Sequence, residues 1–549
     1  MAYIAPSLWA VNEYGEGLRQ LLRERQQLDR WIDFKSFQVF SDVTTYTALQ
    51  FFTHDPQNSA LISAAPEGEI EDVDWSDTRL AVPYADLPDD GEWLMATGAE
   101  RALINRLDAS CLKLENPLLT RGIIVGIQTS ADKIYHLERV AERQYRCTPR
   151  GAAPYIVEIE DAVMKPLISG PEAKRYEDPE TDTYLLFPYV RSARGNMELI
   201  SEDEMARQYP RAWAYLRTWE GELRGRERGK MDGPSWWAYN YPKNLDKQDH
   251  IKLLVPRLVE HLKASLDVHG EAYLDNVDVG GVLPAAGIDP AFLLGVMNGP
   301  VADFVFRRIA KPFRGGFRSA NKQFIAPLPV PDASTDEKDE IAGMAIALQE
   351  GWTNRRRLLT QAEERLSVLA RARHGEHWIW PDLPAMHELE AAAPQSFAMA
   401  NERRDWAKQR IDEAVAERLE KLQAALDADV VLEVAFRDGE LVLHAGGRHL
   451  LDRIYLDEAM GRLVEEYWRF LLLSQPWRDA SGFAEALRRP PAEPASPAAR
   501  QFVERVQELA VQVADIAEQE AALNERLFAL YDLTEAERFL VETDDRGRR

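Results

Sequence analysis

The sequence predicts a multidomain protein of α/β and α+β class, and three observations support this class. Its 549 residues correspond to about three to four domains of ordinary size. A hydrophobic content of 45% is sufficient to build several buried cores. Strand and helix patterns alternate near the N-terminus, whereas helical periodicity dominates the C-terminal third.

The first 54 residues predict part of an α/β domain. Residues 1–6, 28–34 and 44–53 are rich in β-branched and aromatic residues and predict strands, and residues 14–27 predict a helix. A doubly wound sheet has more strands than these, so the sheet is expected to be partial. Residues 55–110 are acidic and rich in Pro and Gly, which predicts a linker region.

Residues 111–332 predict a mixed α+β domain with short strands at 122–128, 183–189 and 251–256 and one long helix over 205–228. Residues 333–488 predict a helical domain with a β-hairpin at 430–444, which turns at Asp438 and Gly439. Residues 489–549 predict a semi-rigid linker, rich in proline over 489–497, followed by C-terminal helices, of which the longest covers 500–530.

The charge balance restricts the partners of this chain. Lys and Arg total 66 and Asp and Glu total 91, so the formal charge is −25, which opposes nucleic-acid binding by the chain as a whole. A DNA contact would need a local basic surface. The two cysteines, Cys111 and Cys147, predict no disulfide framework, and no apolar run reaches the length of a membrane span. These features favour a cytoplasmic protein without a membrane partner.

Common catalytic motifs are absent from the sequence. It contains no GxGxxG, Walker A or HExxH motif, and the pair His374 and His377 lacks both the helical spacing and a third ligand of a metal site. The run VEIEDAVMK at 157–165 resembles a nuclease site only superficially, and a solvated charged edge is the better interpretation. We therefore expect no metal site.

Residues 1–53 contain a strand ending in Pro6, the segment YGEGLRQLL, and then WIDF, VF and TYTALQFF. In this order they resemble the closing third of the catalytic domain of adenine-N6 DNA methyltransferases of type II restriction–modification systems. Further segments are similar to the TaqI-like C-terminal specificity domain of the family. They are GIQTSADKIY at 126–135, residues 209–228, WAYNY at 237–241, KLLVPR at 252–257, residues 292–331 and residues 523–542.

This resemblance implies a partial Rossmann-like methyltransferase sheet at the N-terminus and S-adenosylmethionine as the cofactor of the complete methyltransferase. The glycine-containing cofactor turn and the NPPY tetrapeptide of the family are not found here, and Asn116 and Pro117 are followed by Leu118. We therefore expect that this chain alone lacks methyl-transfer activity and binds no cofactor by itself. The resemblance places a base-stacking aromatic at Phe52. The alternative is that Phe52 and its neighbour Phe51 are both core residues.

Two segments supply the local basicity that the whole chain lacks. Residues 205–260 contain eleven basic and seven acidic residues, and residues 301–331 contain six basic residues and one acidic residue. Arginine and lysine contact phosphates or guanine, and aromatic side chains either pack a loop or touch bases. The candidate DNA-contacting residues are Gln128, Thr129, Lys133, Arg224, Arg226, Arg228, Lys230, Trp237, Tyr239, Arg314, Arg318, Asn321 and Lys322.

The sequence thus predicts the recognition component of a site-specific adenine-N6 DNA methyltransferase in a restriction–modification system, a defence against foreign DNA. Its expected partners are double-stranded DNA and a methyltransferase catalytic subunit, which would join the exposed edge of the partial sheet. Two alternatives stay open. One is a fragment of a single-chain methyltransferase whose start has been set too late, and the other is a non-enzymatic acidic scaffold or DNA mimic.

Overall fold

The structure is a computed structural model that describes residues 1–35, 37–40, 45–65, 68–77, 80–88, 93–313, 316–375, 377–397, 399–428 and 430–545. The chain divides into two compact units. The first comprises residues 1–350 and the C-terminal segment from Glu520, and the second comprises Gly351–Gln519. Several sheets and many helices occur together, which is the mixed multidomain class that the sequence predicts.

A five-stranded sheet forms the N-terminal part of the first unit. Its elements are β1 (Ala2–Pro6), α1 (Glu16–Arg25), β2 (Leu28–Asp33), β3 (Thr47–Phe52), β4 (Ser59–Ala64) and β5 (Ala81–Pro83), followed by α2 (Gly98–Ser110). The strand order is β1-β3-β2-β4-β5. Strand β3 is antiparallel to both β1 and β2, so β1 and β2 run in the same direction, and β4 is parallel to β2. The three strands expected here are present, whereas the Rossmann-like assignment stays a prediction.

The acidic segment after β3 is part of this sheet, which corrects the linker expected at 55–110. Strands β4 and β5 pair with each other, and α2 follows with a capping box between Thr97 and Glu100. Val82, Tyr84 and Trp93 are buried in the same core as Trp31. The Tyr84 hydroxyl accepts a hydrogen bond from the Leu28 amide at 2.6 Å. The average composition of the segment predicted a linker because only a few, well-spaced apolar residues form its buried face.

The middle of the first unit contains most of the strands. Its elements are β6 (Leu112–Lys113), β7 (Thr120–Val125), α3 (Asp132–Tyr135), β8 (His136–Ala141), β9 (Gln144–Cys147), β10 (Tyr155–Glu158), β11 (Met164–Ile168), β12 (Thr183–Leu186), β13 (Tyr189–Arg191), β14 (Met197–Leu199), α4 (Glu202–Gln208), α5 (Pro210–Thr218), α6 (Glu220–Gly229), β15 (Lys252–Pro256), β16 (Leu258–Val259), β17 (Ser265–Asp267), β18 (Tyr273–Leu274), β19 (Val279–Pro284), α7 (Pro290–Met297), α8 (Pro300–Ile309), β20 (Arg318–Ser319), α9 (Lys322–Ile325) and β21 (Pro329–Val330). The two larger sheets have the orders β10-β9-β8-β12-β11-β18 and β17-β15-β19-β7.

The long helix expected over 205–228 is three short helices instead. Pro210 is the first residue of α5, because proline fits the first helical turn but not a helix interior. Trp219 separates α5 from α6 with non-helical dihedral angles. Near the end of α6 the backbone leaves helical geometry, and Glu227 and Arg228 have φ angles of 51° and 59°. The chain therefore turns within the basic stretch rather than continuing as a helix.

The charged run at 157–165 also differs from the solvated edge that the sequence suggests. The Glu160 side chain is buried, and its two carboxylate oxygens accept hydrogen bonds from the backbone amides of Arg211 (3.0 Å) and Ala212 (2.9 Å). Asp161 accepts a hydrogen bond from the Tyr145 hydroxyl at 2.6 Å. These carboxylates stabilise the start of α5 and the neighbouring sheet, since a carboxylate is favourable at a helix N-terminus.

The remaining elements are α10 (Thr335–Ser367), α11 (Met386–Ala392), α12 (Ala400–Asp427), β22 (Leu432–Arg437), β23 (Glu440–Ala445), β24 (Arg448–Tyr455), α13 (Glu458–Ser474), α14 (Ala480–Leu487), α15 (Pro497–Leu530) and α16 (Glu535–Asp545). Asp438 and Gly439 form the predicted hairpin turn with φ angles of 52° and 81°, which favour glycine. A third strand extends the hairpin to a sheet of order β22-β23-β24.

The proline-rich segment at 489–497 is packed, although its composition predicts a linker. The Ala372 amide donates to the Pro490 carbonyl at 2.9 Å, and the Ala492 amide donates to the Ala370 carbonyl at 2.7 Å. Among the described helices, none is both long and apolar enough to cross a membrane. The described residues also contain no group of three or more His, Cys, Asp or Glu side chains that could hold a metal ion.

Candidate functional site

Two segments that the sequence singles out lie side by side in the first unit. Gln128, in the turn after β7, forms an antiparallel bridge with Tyr241. The Arg226 guanidinium, near the end of α6, donates a hydrogen bond to the Thr129 carbonyl at 2.9 Å. Residues about a hundred positions apart in the chain thus lie side by side.

Gly126 permits this arrangement at the start of the turn. A Cβ atom at this position would lie 2.3 Å from the Leu274 carbonyl oxygen, so only glycine fits. The next residue, Ile127, donates to the same carbonyl at 2.8 Å and accepts from the Asn276 amide at 3.0 Å. The turn is therefore tied to β18 through its backbone.

Arg226 holds the basic loop in place from the inside. Its side chain is only 9% exposed. Besides Thr129, it donates to the carbonyl oxygens of Leu223 (3.0 Å), Trp236 (2.8 Å) and Ala238 (2.8 Å). A buried charge requires such compensation by hydrogen bonds. In this structure Arg226 is a positioning residue and not an exposed DNA contact.

Three further candidates are also buried. The Thr129 hydroxyl donates to Asp132 Oδ1 at 2.5 Å, Trp237 Nε1 donates to the Ile200 carbonyl at 3.2 Å, and the Tyr239 hydroxyl donates to the Leu186 carbonyl at 2.6 Å. All three belong to the interior of the first unit. Their burial favours the packing role that the sequence left open for the aromatic residues.

The exposed candidates divide into paired and unpaired cations. Lys133 Nζ lies 2.5 Å from Glu222 Oε1, and Arg224 pairs with Glu220. Arg228 and Lys230 are exposed, and within the described residues their side chains have no hydrogen bond or ion pair with the protein. These two cations are available to an external anion.

The structure adds two residues to the same surface. Tyr241 is exposed beside Gln128, and Lys243 follows it on the exposed side of the loop. Both belong to the aromatic and basic stretch that drew attention in the sequence, but no local pattern separates them from their buried neighbours. We name this set the loop surface; its members are Gln128, Lys133, Arg228, Lys230, Tyr241 and Lys243.

The second basic segment lines a cavity of about 350 Å³. Arg318 and Asn321 line this cavity, Lys322 is exposed directly after Asn321, and Arg314 lies outside the described residues. Arg318 donates to the carbonyls of Arg307 (2.9 Å) and Gly316 (3.0 Å). The opposite wall contains Ser7 and Asp33 from the N-terminal sheet. We name this feature the basic cavity; its cations are Lys35, Arg257, Arg307, Arg308, Lys311 and Arg318.

Phe52 lies at the other end of the sheet from the basic cavity. Strand β3 is antiparallel to β1 and β2, so Phe52 is level with the start of both strands, whereas Ser7 and Asp33 are at their carboxyl ends. The Phe52 ring packs 6.2 Å from the Tyr3 ring and against the core of the sheet. Phe40, in the loop that follows β2, is 44% exposed.

A partly buried carboxyl group lies beside the turn at 126–132. Burial, with the nearby carboxylates of Asp132, Asp278 and Glu172, raises the pKa of Asp275 to about 7. Asp275 forms a parallel bridge with Ile127. The electrostatics under the loop surface therefore change near neutral pH.

The chain resembles known restriction–modification enzymes, although no protein-family model matches it. It is 27% identical over 285 residues to the type II restriction enzyme and methyltransferase RM.Eco57I of Escherichia coli. This match covers 49% of the chain and 28% of that protein, so the chain spans about a quarter of its curated relative. Over this part, the chain is homologous to a type II restriction–modification enzyme.

Two solved structures show weaker likenesses. The type IIL restriction–modification enzyme MmeI in complex with DNA matches with a TM-score of 0.40 and 12% identity over 64% of this chain and 42% of that one. The type IIG restriction endonuclease BpuSI matches with a TM-score of 0.29 and 10% identity over 63% of this chain and 42% of that one.

Proposed function

We propose that this chain recognises DNA in a restriction–modification system, as the recognition component of a site-specific adenine-N6 DNA methyltransferase. The observation that carries the proposal is the loop surface, which exposes unpaired cations in a chain of net charge −25. The similarity to RM.Eco57I supports the assignment to a restriction–modification system. The adenine specificity rests on the sequence resemblance alone.

The loop surface combines the two kinds of contact that sequence recognition requires. Arg228, Lys230 and Lys243 are suited to backbone phosphates, which fix the position of a protein on DNA. Gln128 carries an amide that can read adenine through two hydrogen bonds in the major groove. Arg226 and Gly126 hold the two loops in register beneath these side chains.

We assign methyl transfer to a catalytic part in addition to the described residues. The glycine-containing cofactor turn expected of the family does not fit the two glycines that follow β1. Gly15 packs against the Trp9 carbonyl, and Gly17 lies within α1. We therefore assign S-adenosylmethionine to the complete enzyme and not to these residues. Whether the catalytic part is a separate subunit or an upstream region of one longer chain, it would carry the NPPY motif.

The edge of the N-terminal sheet suits the addition of such a part. Among the described strands, β1 has a neighbour on one side only. Tyr3 and Ile4 on this strand are 50% and 44% exposed. Exposed strand edges with apolar side chains invite pairing with another strand. The proposed catalytic part would thus extend the sheet from β1.

The test is a selection of randomised duplex DNA on the purified full-length chain, followed by fluorescence anisotropy of the enriched duplex across a salt series. We expect one short motif and an affinity that falls steeply with salt. Replacing Arg228 and Lys230 together by alanine should lower the slope of log affinity against log salt by about 2, because each phosphate contact contributes about 0.9. The matched control replaces the exposed cations Arg404 and Lys408 of α12.

The control variant should retain the affinity and the salt slope of the wild type. Binding that is absent, or independent of salt, would contradict DNA recognition by this chain and would favour the acidic scaffold. Loss of binding in the control variant alone would place the DNA contact in the second unit.

A further inference from the structure

The basic cavity has a strongly unbalanced charge. Six cations line it, and Asp33 is the one carboxylate among the described residues of its wall. Asp33 is already paired, because Lys35 Nζ lies 3.2 Å from its Oδ2 atom. Arg308 is paired outside the cavity wall with Glu100 at 2.5 Å. Among the described residues of the wall, Arg257 and Lys311 have no carboxylate partner.

Several donors of this wall have no partner within the described part of the protein. The Arg257 guanidinium makes no hydrogen bond or ion pair with any described residue, and its Nε atom is buried. Lys311 likewise has no hydrogen bond or ion pair to the residues that the structure describes, and its Nζ atom lies 5.8 Å from the centre of the Phe313 ring. Ser319 is only 2% exposed, yet its hydroxyl has no hydrogen-bond partner. An unsatisfied buried polar group is costly, so such a group indicates an external partner.

The position of the cavity is typical of a ligand site. Ser7 and Asp33 are at the carboxyl ends of β1 and β2, which run in the same direction. Ligands of open α/β sheets bind outside the carboxyl ends of parallel strands. The volume of about 350 Å³ lies within the range of small-molecule pockets.

We propose that the basic cavity binds a phosphate group through Arg257, Lys311 and Ser319. A guanidinium, an ammonium and a hydroxyl together supply the charge and the directed donors that phosphate oxygens accept. The identity of this phosphate rests on the proposed function: it is a backbone phosphate of the bound DNA, held between the N-terminal sheet and the middle region. The volume also admits the sugar attached to that phosphate.

Two binding measurements on the full-length chain test this site. The first is calorimetric titration with inorganic phosphate, and the second is anisotropy of a duplex DNA at fixed ionic strength. Replacing Arg257 and Lys311 together by alanine should abolish phosphate binding and weaken DNA binding about tenfold, since two charge-assisted contacts are lost. The small change Ser319→Ala should weaken phosphate binding about threefold, because one hydrogen bond is lost.

Separate outcomes distinguish the cavity from the proposed function. The variant with alanine at Arg228 and Lys230 should bind inorganic phosphate as the wild type does. If the wild type binds DNA and the Arg257 and Lys311 variant binds it equally well, the phosphate site is wrong and DNA recognition stands. If the wild type binds phosphate but no DNA, the cavity holds free phosphate and the DNA assignment is overturned. Phosphate binding that survives the replacement of Arg257 and Lys311 contradicts the site.

Discussion

Replacing Arg226 by alanine tests whether this arginine positions the loop surface or contacts DNA. The side chain makes four hydrogen bonds to the carbonyls of Thr129, Leu223, Trp236 and Ala238. Hydrogen bonds that involve a charged group contribute about 1.5 to 3 kcal/mol each, but they are not additive and the carbonyls partly recover water. We therefore expect a loss of about 3 to 5 kcal/mol in the free energy of unfolding of the first unit.

Urea unfolding followed by tryptophan fluorescence measures this effect, because Trp236 packs 5.3 Å from the Trp213 ring beside the anchored loop. Arg226→Lys should lose about 2 kcal/mol or more, since one ammonium cannot reach four carbonyls. Arg228→Ala, two residues away and exposed, is the control and should change stability by less than about 0.5 kcal/mol. An Arg226→Ala protein with wild-type stability and no DNA binding would refute the positioning role.

The pKa of Asp275 is raised to about 7 in the folded state, so the stability that this group contributes is full near pH 4 and is lost as the pH rises through 7. In urea unfolding at pH 8, Asp275→Asn should therefore be about 1 to 2 kcal/mol more stable than the wild type, after allowance for solvent screening. The gain in stability should be smaller at pH 5. Gly126→Ala should destabilise the first unit by about 2 kcal/mol or more through the clash with the Leu274 carbonyl, whereas Gly122→Ala, with open space around it, should be nearly neutral by thermal unfolding. Phe52→Ala should lower the free energy of unfolding by about 1 to 2 kcal/mol, because Phe52 packs on the core at the end of the sheet away from the basic cavity. DNA affinity, measured by anisotropy, should not change; an affinity loss at wild-type stability would favour the base-stacking role of Phe52 instead.

Local patterns in the sequence were sufficient for many individual elements. The strands β1, β2 and β3 lie where β-branched and aromatic residues predict them, and the positive φ angles of Asp438 and Gly439 match their hairpin turn. Such features depend on a few neighbouring residues. Propensity and turn chemistry therefore predict them directly.

Features that depend on tertiary contacts could not be predicted from local sequence patterns. The buried residues Val82, Tyr84 and Trp93 turn an acidic segment into part of a sheet, although its composition predicts a linker. Arg226 and Arg228 are alike in the sequence, but one is enclosed by four carbonyls and the other is exposed. Burial of a charge is decided by distant backbone groups, and no local pattern reports it.

The basic cavity illustrates the same point for the candidate site. Its walls come from the loop after β1, the end of β2, and residues near Arg257 and Arg318. The sequence indicated a surplus of positive charge at 301–331 but not the partner wall formed by the N-terminal sheet. The loop surface was predicted in part, because its two segments were both singled out, and their contact through Gln128 and Tyr241 was not.

Hydrogen–deuterium exchange of the full-length chain, with and without its selected duplex, locates the DNA contact on the protein. We expect slower exchange on DNA binding in peptides that cover 126–133 and 226–247, the two segments of the loop surface. We expect no change in peptides of α12, whose exposed cations serve as the control. Protection confined to the second unit, or none at all with DNA bound, would contradict recognition through the loop surface.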